Sequence, residues 1–294
     1  MKFINFKLNK FILLFINFYI LVISILIENN HHHKYKIVAI SFASDNFVKQ
    51  LKINRLTAIK IGKADEYFYY KPDDIDLDFK KKNEDILSRK RGHGYYLWKP
   101  YIILKALREK LNVGDFLVYT DAGIFYLDKV EKLIQFMISN NEDIWAERTI
   151  FLEKQFSKRD AFILLDADSP NYTDTLQYIS GMQIYKKSNI SEIFLEKLLY
   201  YSQDKRIITD DPNTLGFPNY DGFIENRHDQ TVLSLLIKKL RLSNSNKNKT
   251  KVYDLNKTEY NSPNIFCVFR RDKFNSYYEL RNKCVEKYNF FTVS

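Results

Sequence analysis

The sequence predicts an α/β fold with a largely parallel sheet flanked by helices. Strand and helix signals alternate over residues 35–150, where apolar, β-rich runs end in turn residues and segments of helical spacing follow them. The 294 residues, 45% hydrophobic and 16% aromatic, can bury one large core and are too apolar for a disordered chain.

The first element is the apolar run "FILLFINFYILVISILI", residues 11–27, broken only by Asn17 and Ser24. It is near the lower limit for spanning a hydrocarbon core of about 30 Å. Lys2, Lys7 and Lys10 precede it, and no small-x-small cleavage site follows. Residues 1–34 are therefore expected to be a single-pass membrane anchor and linker, with one domain over 35–294. Lysines on both sides of the run leave its orientation open. His31, His32 and His33 read as a polar spacer.

"YKIVAISFA", residues 35–43, reads as a first buried strand ending at Ser44-Asp45-Asn46. A helix over 46–53 and a strand within 56–70 come next, then a polar connection over 71–85. The decapeptide "RGHGYYLWKP", residues 91–100, follows, holding two of the chain's 8 glycines and one of its 2 tryptophans. Its glycines suit a tight bend, and its aromatics either anchor the core or stack on a ligand. Pro100 opens a helix carrying Tyr101, Leu104, Ala106 or Leu107, and Leu111, because a first-turn N–H has no intrahelical partner to lose. Residues 116–119 are a central strand that stops at Thr120-Asp121-Ala122-Gly123. A helix is expected over 128–140, a strand over 143–150 and a helix over 190–203. The polar stretches 152–178 and 208–223 read as binding loops. The apolar pattern Val232, Leu233, Leu235, Leu236, Ile237 and Leu240 makes a helix that begins near "RHDQ", and 243–251 is a polar loop.

Several chemistries are excluded. Cys267 and Cys284 make neither a disulfide framework nor a metal site, although they could form one bridge. Of 5 histidines only His93 and His228 lie outside the linker, too few for a dinuclear His-Asp hydrolase. There is no Gly-rich phosphate loop, Gly-x-Ser-x-Gly, Cys-x-x-Cys or His-Glu-x-x-His. The net charge of +10 reads as solvated surface or attraction to an anion, and with an anchor present no nucleic-acid partner is expected.

What remains points to two places. Asp121 stands beyond the end of a strand, where α/β sheets bind ligands, and its carboxylate can hold a metal on a diphosphate, bond hydroxyls or merely start a turn. Asp229 at the start of the last helix serves either as a cap or as a working carboxylate.

"GHGYYLWKPYIIL", "GDFLVYTDAG", "EKQFSKRDAF", "YTDT", "TDDPN" and "RHDQTVLSLL", in this order, resemble a group of glycosyltransferase-like proteins of polysaccharide and capsule gene sets and large viruses. The group is similar to the nucleotide-diphospho-sugar transferases of the GT-A fold, and the resemblance covers residues 35–290. It implies a GT-A-like mixed sheet, a nucleotide-sugar donor and a glycan or glycolipid acceptor. Asp121 is then similar to the start of an Asp-x-Asp element holding Mn²⁺ or Mg²⁺, with Gly123 where its second Asp would be, which weakens a metal site. The resemblance places Asp229 and Asp121 in catalysis, and Arg91, His93, Trp98, Lys99, Asp121, Gly123, Lys158 and Asp160 on the donor. Asp174, Asp210, Asp211, His228 and Gln230 fall to the acceptor or sugar, and Asp121 with His228 to the metal. Arg91 and Lys99 are the cations expected to steady a leaving diphosphate. A catalytically silent sugar- or nucleotide-binding module on the same fold is the alternative.

Overall fold

The structure is a computed structural model that describes residues 35–44, 47–243 and the backbone of 266–268. Contacts divide the chain into two units, Met1–Lys36 and Ile37–Ser294, and the second is described here. The apolar run 11–27, His31 to His33, the loop 244–251 and Cys284 lie outside the described residues. Among the described residues no helix is long and apolar enough to cross a membrane.

The described residues form seven strands: β1 (Ile37–Phe42), β2 (Glu66–Tyr70), β3 (Phe116–Thr120), β4 (Ile124–Tyr126), β5 (Ile144–Leu152), β6 (Leu176–Lys186) and β7 (Phe266–Val268). The main sheet has the order β2-β1-β3-β6-β5, and β4 pairs with β7 apart from it. β1 is parallel to β2 and β3, whereas β6 is antiparallel to both β3 and β5. Four strands therefore run one way and β6 alone is reversed. β1 and β3 are continuous runs of buried residues, as central strands are, and the helix Trp98–Lys110 packs on both. β2 lies on one side of β1 and β3 on the other, so the strand order reverses between β1 and β3.

The helix after β1 is longer than expected, Val48–Lys60, and absorbs the start of the stretch read as a second strand. The "connection" 71–85 holds short helices, Leu77–Lys82 and Glu84–Leu87, instead of irregular chain. Tertiary contact holds them: Phe79 stacks on Tyr101 at 4.3 Å, and Ile86 is buried with Tyr95, Leu97 and Ile208. The next helix, Trp98–Lys110, includes Pro100 within its first turn and packs on β1, β3 and the helix Asn189–Ser202. A helix Glu131–Ser139 leads into β5.

The stretch 152–178 is also more ordered than a loop, with short helices Glu153–Phe156, Arg159–Leu164 and Pro170–Thr173 before β6 begins. β6 is the element that the sequence pattern hides. Its inner positions include Gln177, Ser180 and Gln183, all buried, so no apolar alternation marks it. Hydrogen bonds replace that signal: Gln177 Nε2 donates to Glu153 Oε1 at 3.0 Å, and Gln183 Nε2 to the Ser180 carbonyl at 2.6 Å. The last long helix, Asp229–Ser243, packs its apolar face on β6.

Candidate functional site

A cavity of about 620 Å³ opens beyond the carboxyl ends of β1 and β3. This is the switch point of the sheet, where neighbouring connections leave in opposite directions and the chain leaves a natural crevice. Phe42, Ala43 and Ser44 come from the end of β1, Asp121 to Gly123 from the end of β3, and Ser180 from β6. Residues 90–93 and 225–230 complete its walls.

The β3 end is pinned from several sides. Asn54 Nδ2 donates to Thr120 Oγ1 at 2.8 Å and to the Ile124 carbonyl at 2.6 Å, while Ser41 Oγ donates to the Thr120 carbonyl at 2.7 Å. Asp121 Oδ1 accepts from the Tyr119 hydroxyl at 2.6 Å. Gly181 of β6 approaches closely: a Cβ built there would lie 3.1 Å from Asp121 Oδ2. Any side chain at 181 would press on the carboxylate.

Lys99 joins the two carboxylates that the sequence left apart. Its Nζ lies 3.2 Å from Asp121 Oδ1 and 2.9 Å from Asp229 Oδ2. It also donates to Ser180 Oγ at 3.3 Å and to the Ser180 carbonyl at 3.4 Å. The rings of Tyr96, Tyr119 and Trp98 surround it with centroids at 5.3, 5.4 and 5.8 Å, within cation–π range. Lys99 is 3% exposed and Asp229 5%. Burial alone would lower the Lys99 pKa, but Asp121 and Asp229 outweigh it and hold the pKa above the ordinary lysine value. Lys99 is thus a fixed ammonium, shared by two carboxylates.

The decapeptide explains how Lys99 gets there. Gly92 to Tyr96 all have positive φ, at 57, 51, 89, 52 and 63°. The chain makes a left-handed turn, with Tyr95 N–H donating to the Arg91 carbonyl at 2.7 Å and Tyr96 N–H to Gly92 at 3.2 Å. Each non-glycine residue in that conformation costs about 1–2 kcal/mol, so His93, Tyr95 and Tyr96 store strain beside the cavity. At Gly94 a Cβ would meet Leu87 Cα at 2.6 Å, so no other residue fits. Trp98 stabilises the turn, because its Nε1–H donates to the Gly92 carbonyl at 2.9 Å and its ring stacks on Phe42 at 3.7 Å. Of the two roles expected for the aromatics, Tyr95 and Trp98 take the core-anchoring one, although one face of Trp98 borders the cavity.

His228 borders the same cavity at 3% exposure, with its backbone also at positive φ. Its Nδ1 lies 2.7 Å from the Ile208 carbonyl, which fixes the proton on Nδ1. Nε2 is buried without a hydrogen bond, 3.8 Å from Asp210 Oδ1. Burial lowers the His228 pKa more than Asp210 raises it, so the ring is neutral near pH 7. Gln230 is occupied in positioning: its Oε1 accepts from Ser180 N–H at 3.3 Å and its Nε2 donates to Gln177 at 2.6 Å.

The structure thus brings Arg91, His93, Trp98, Lys99, Asp121, Gly123, His228, Asp229 and Gln230 around one cavity. Other expected site residues lie elsewhere. Lys158 donates to the Asp211 carbonyl, and the fully buried Asp160 accepts from Thr214 N–H at 2.6 Å, so both fix the 209–215 chain instead of a donor. Asp174 is an exposed partner of Lys154 at 2.8 Å. Asp210 pairs with Arg91 at 3.0 Å and Asp211 with Arg89 at 3.5 Å, behind the lining. Arg91 is shared between Asp210 and Glu225, both at 3.0 Å.

Of the expected metal pair, Asp121 and His228 both border the cavity. Among the described residues no three His, Cys, Asp or Glu side chains come together as ligands. His228 turns one nitrogen to a backbone carbonyl, and Asp121 is held by Lys99. The residues missed by the sequence reading are Ser180 and Gly181 on the hidden strand, with Glu225 and Arg227 on the cavity wall. A glycine inside a strand often marks a close approach of backbone, and Gly181 carried that signal.

No protein-family model and no curated protein matches the chain. Solved structures give weak likenesses. An active-site mutant of LgtC is 12% identical with a TM-score of 0.45, covering 85% of this chain and 95% of that one. The bifunctional enzyme WbbM is 10% identical with a TM-score of 0.42, and the match spans 38% of its length and 70% of this chain. The Mn/GDP form of core-mannan synthase A from Aspergillus fumigatus is 11% identical with a TM-score of 0.38, covering 71% of each chain. At such identities and TM-scores these likenesses assign the chain neither a family nor an activity.

Proposed function

We propose that the chain is a glycosyltransferase that moves a sugar from a nucleoside-diphosphate sugar to a glycan or glycolipid acceptor. The observation that carries this reading is the Asp121–Lys99–Asp229 cluster on the wall of a switch-point cavity. The ordered sequence segments, nearly all of which border that cavity or support its walls, add to it.

The chemistry suits the cluster. In transfer, the bond from the anomeric carbon to the diphosphate oxygen breaks, a bond to an acceptor hydroxyl oxygen forms, and that hydroxyl loses its proton. The leaving diphosphate needs positive charge, which Lys90, Arg91, Lys99 and Arg227 bring to the lining against the carboxylates of Asp121, Glu225 and Asp229. A carboxylate beside the anomeric carbon supports its developing positive charge or takes the acceptor proton. Asp229 is enclosed and Asp121 is 25% exposed, so Asp121 is the more open of the two to a ligand. Attachment to a membrane through residues 11–27, which would place the enzyme beside a lipid-linked acceptor, is part of this proposal.

Purified protein offered a panel of nucleotide sugars should release nucleoside diphosphate, and Asp121→Ala should abolish the release. Unchanged turnover in that variant would overturn the assignment. Binding of nucleotide sugars without release by the wild type would instead favour a silent binding module. One observation speaks for that second reading: Lys99 already neutralises part of both carboxylates.

A further inference from the structure

We propose that Lys99 is the resident cation of this cavity, standing where a divalent metal would bridge the two carboxylates, so that ligand binds without metal. The part concerning ligand rests on the sugar-transfer reading; the part concerning the cation does not.

The geometry is that of an ammonium. Oxygens from Asp121, Asp229 and Ser180 surround Nζ at 2.9–3.4 Å, whereas Mg²⁺ demands oxygens at about 2.0–2.1 Å. An ion placed between Asp121 and Asp229 would meet Nζ itself, with repulsion between like charges. Lys99 is buried under Tyr96 and Trp98, and the backbone before it is locked in a left-handed turn. The remaining ligands are also wrong for a metal. Position 123 is glycine, Asp121 already accepts from Tyr119, and His228 is tied through Nδ1 to Ile208. The fold spends a strained turn, two aromatic rings and a buried side chain to seat one fixed positive charge. A fixed charge that needs no recruitment offsets part of the charge of Asp121 and Asp229, leaving Lys90, Arg91 and Arg227 of the same lining to meet a leaving diphosphate, and it is present at any metal concentration.

The test uses Mn²⁺ alone as probe, followed by electron paramagnetic resonance on the full chain. Wild type is expected to show no bound Mn²⁺ that depends on Asp121. Lys99→Ala, which vacates the space between the carboxylates, should gain a site at least about tenfold tighter than any in the wild type, a free-energy change well above experimental scatter. The double variant Lys99→Ala/Asp121→Asn should lose it. Mn²⁺ bound by wild type and lost in Asp121→Asn would overturn the proposal, as would a folded Lys99→Ala that gains no site. Should Lys99→Ala not fold, the comparison of wild type with Asp121→Asn decides alone. A second measurement separates the two readings. Calorimetry with UDP and GDP should give the same affinity in EDTA and in Mn²⁺, and a tightening of about tenfold or more by Mn²⁺ would sink the metal-free site. Absence of nucleotide binding in both conditions would count against sugar transfer while the Mn²⁺ result stands.

Discussion

Among the described residues two lysines, Lys99 and Lys238, are buried with an ion pair to a carboxylate, and they behave differently. Lys238, on the last helix, meets Glu153, whose Oε2 accepts from both Lys238 and Ser234. The other oxygen of Glu153 accepts from Ser157 at 2.7 Å and from Gln177 at 3.0 Å. One charge faces one charge, every lone pair is used, and Glu153 is wholly enclosed. Burial therefore wins, and the Lys238 pKa is pushed below its ordinary value despite Glu153. Lys99 faces two carboxylates, and their sum reverses the balance, raising its pKa. The first cluster ties the helix to β6 and the segment after β5, while the second leaves a surplus negative charge on a cavity wall. Burial of an ion pair does not mark a site; unequal charge with access to a cavity does.

The largest effect should come from breaking this contrast directly. Glu153→Gln strands a buried ammonium and should cost about 3–5 kcal/mol of stability in urea unfolding. Where it remains folded, it should retain transfer activity. Lys99→Ala should do the reverse: a smaller stability loss, because cavity water can reach Asp121, and a fall in nucleoside diphosphate release of about 100-fold. Equal stability losses with equal activity would erase the distinction between the clusters.

A smaller effect concerns His228. Burial depresses its folded pKa below the unfolded one, so the unfolded chain binds more protons in the interval between them. Its neutral form supports the fold fully above the unfolded value of about 6.5, and that support is lost as pH falls through the window below. Thermal melts from about pH 7.5 to pH 5 should show Tm falling for the wild type, and more shallowly for His228→Gln. Parallel curves would refute the role of His228. The smallest change is expected from His93→Gly, at an exposed residue with φ of 51°. Relief of the left-handed penalty, less the added chain entropy of glycine, should raise stability by up to about 1 kcal/mol in the same melts. A loss would mean that the His93 side chain holds the turn.

Much of the architecture was legible. β1, β3 and the last helix announced themselves through apolar runs bounded by turn residues, and Asp121 could be placed at a strand end before any fold was known. β6 could not be seen, because its buried positions are polar and only neighbours distant in sequence satisfy them. The short helices between 71 and 87 were hidden for a related reason: partners such as Tyr101 and Ile208, not helical propensity, hold them. Lys158 and Asp160 looked like ligand contacts, since a buried loop tie and a binding carboxylate use the same residue types.

The sequence by itself determined the periodicities, the carboxylates at a strand end and a helix start, and the crowding of glycine and aromatic residues at 91–100. Only the tertiary structure decided that Lys99 would stand between Asp121 and Asp229. Periodicity is a property of neighbours along the chain. The balance of charge in a cavity depends on strand order, on one reversed strand and on a left-handed turn that aims a single side chain, and those are settled only when distant segments pack together.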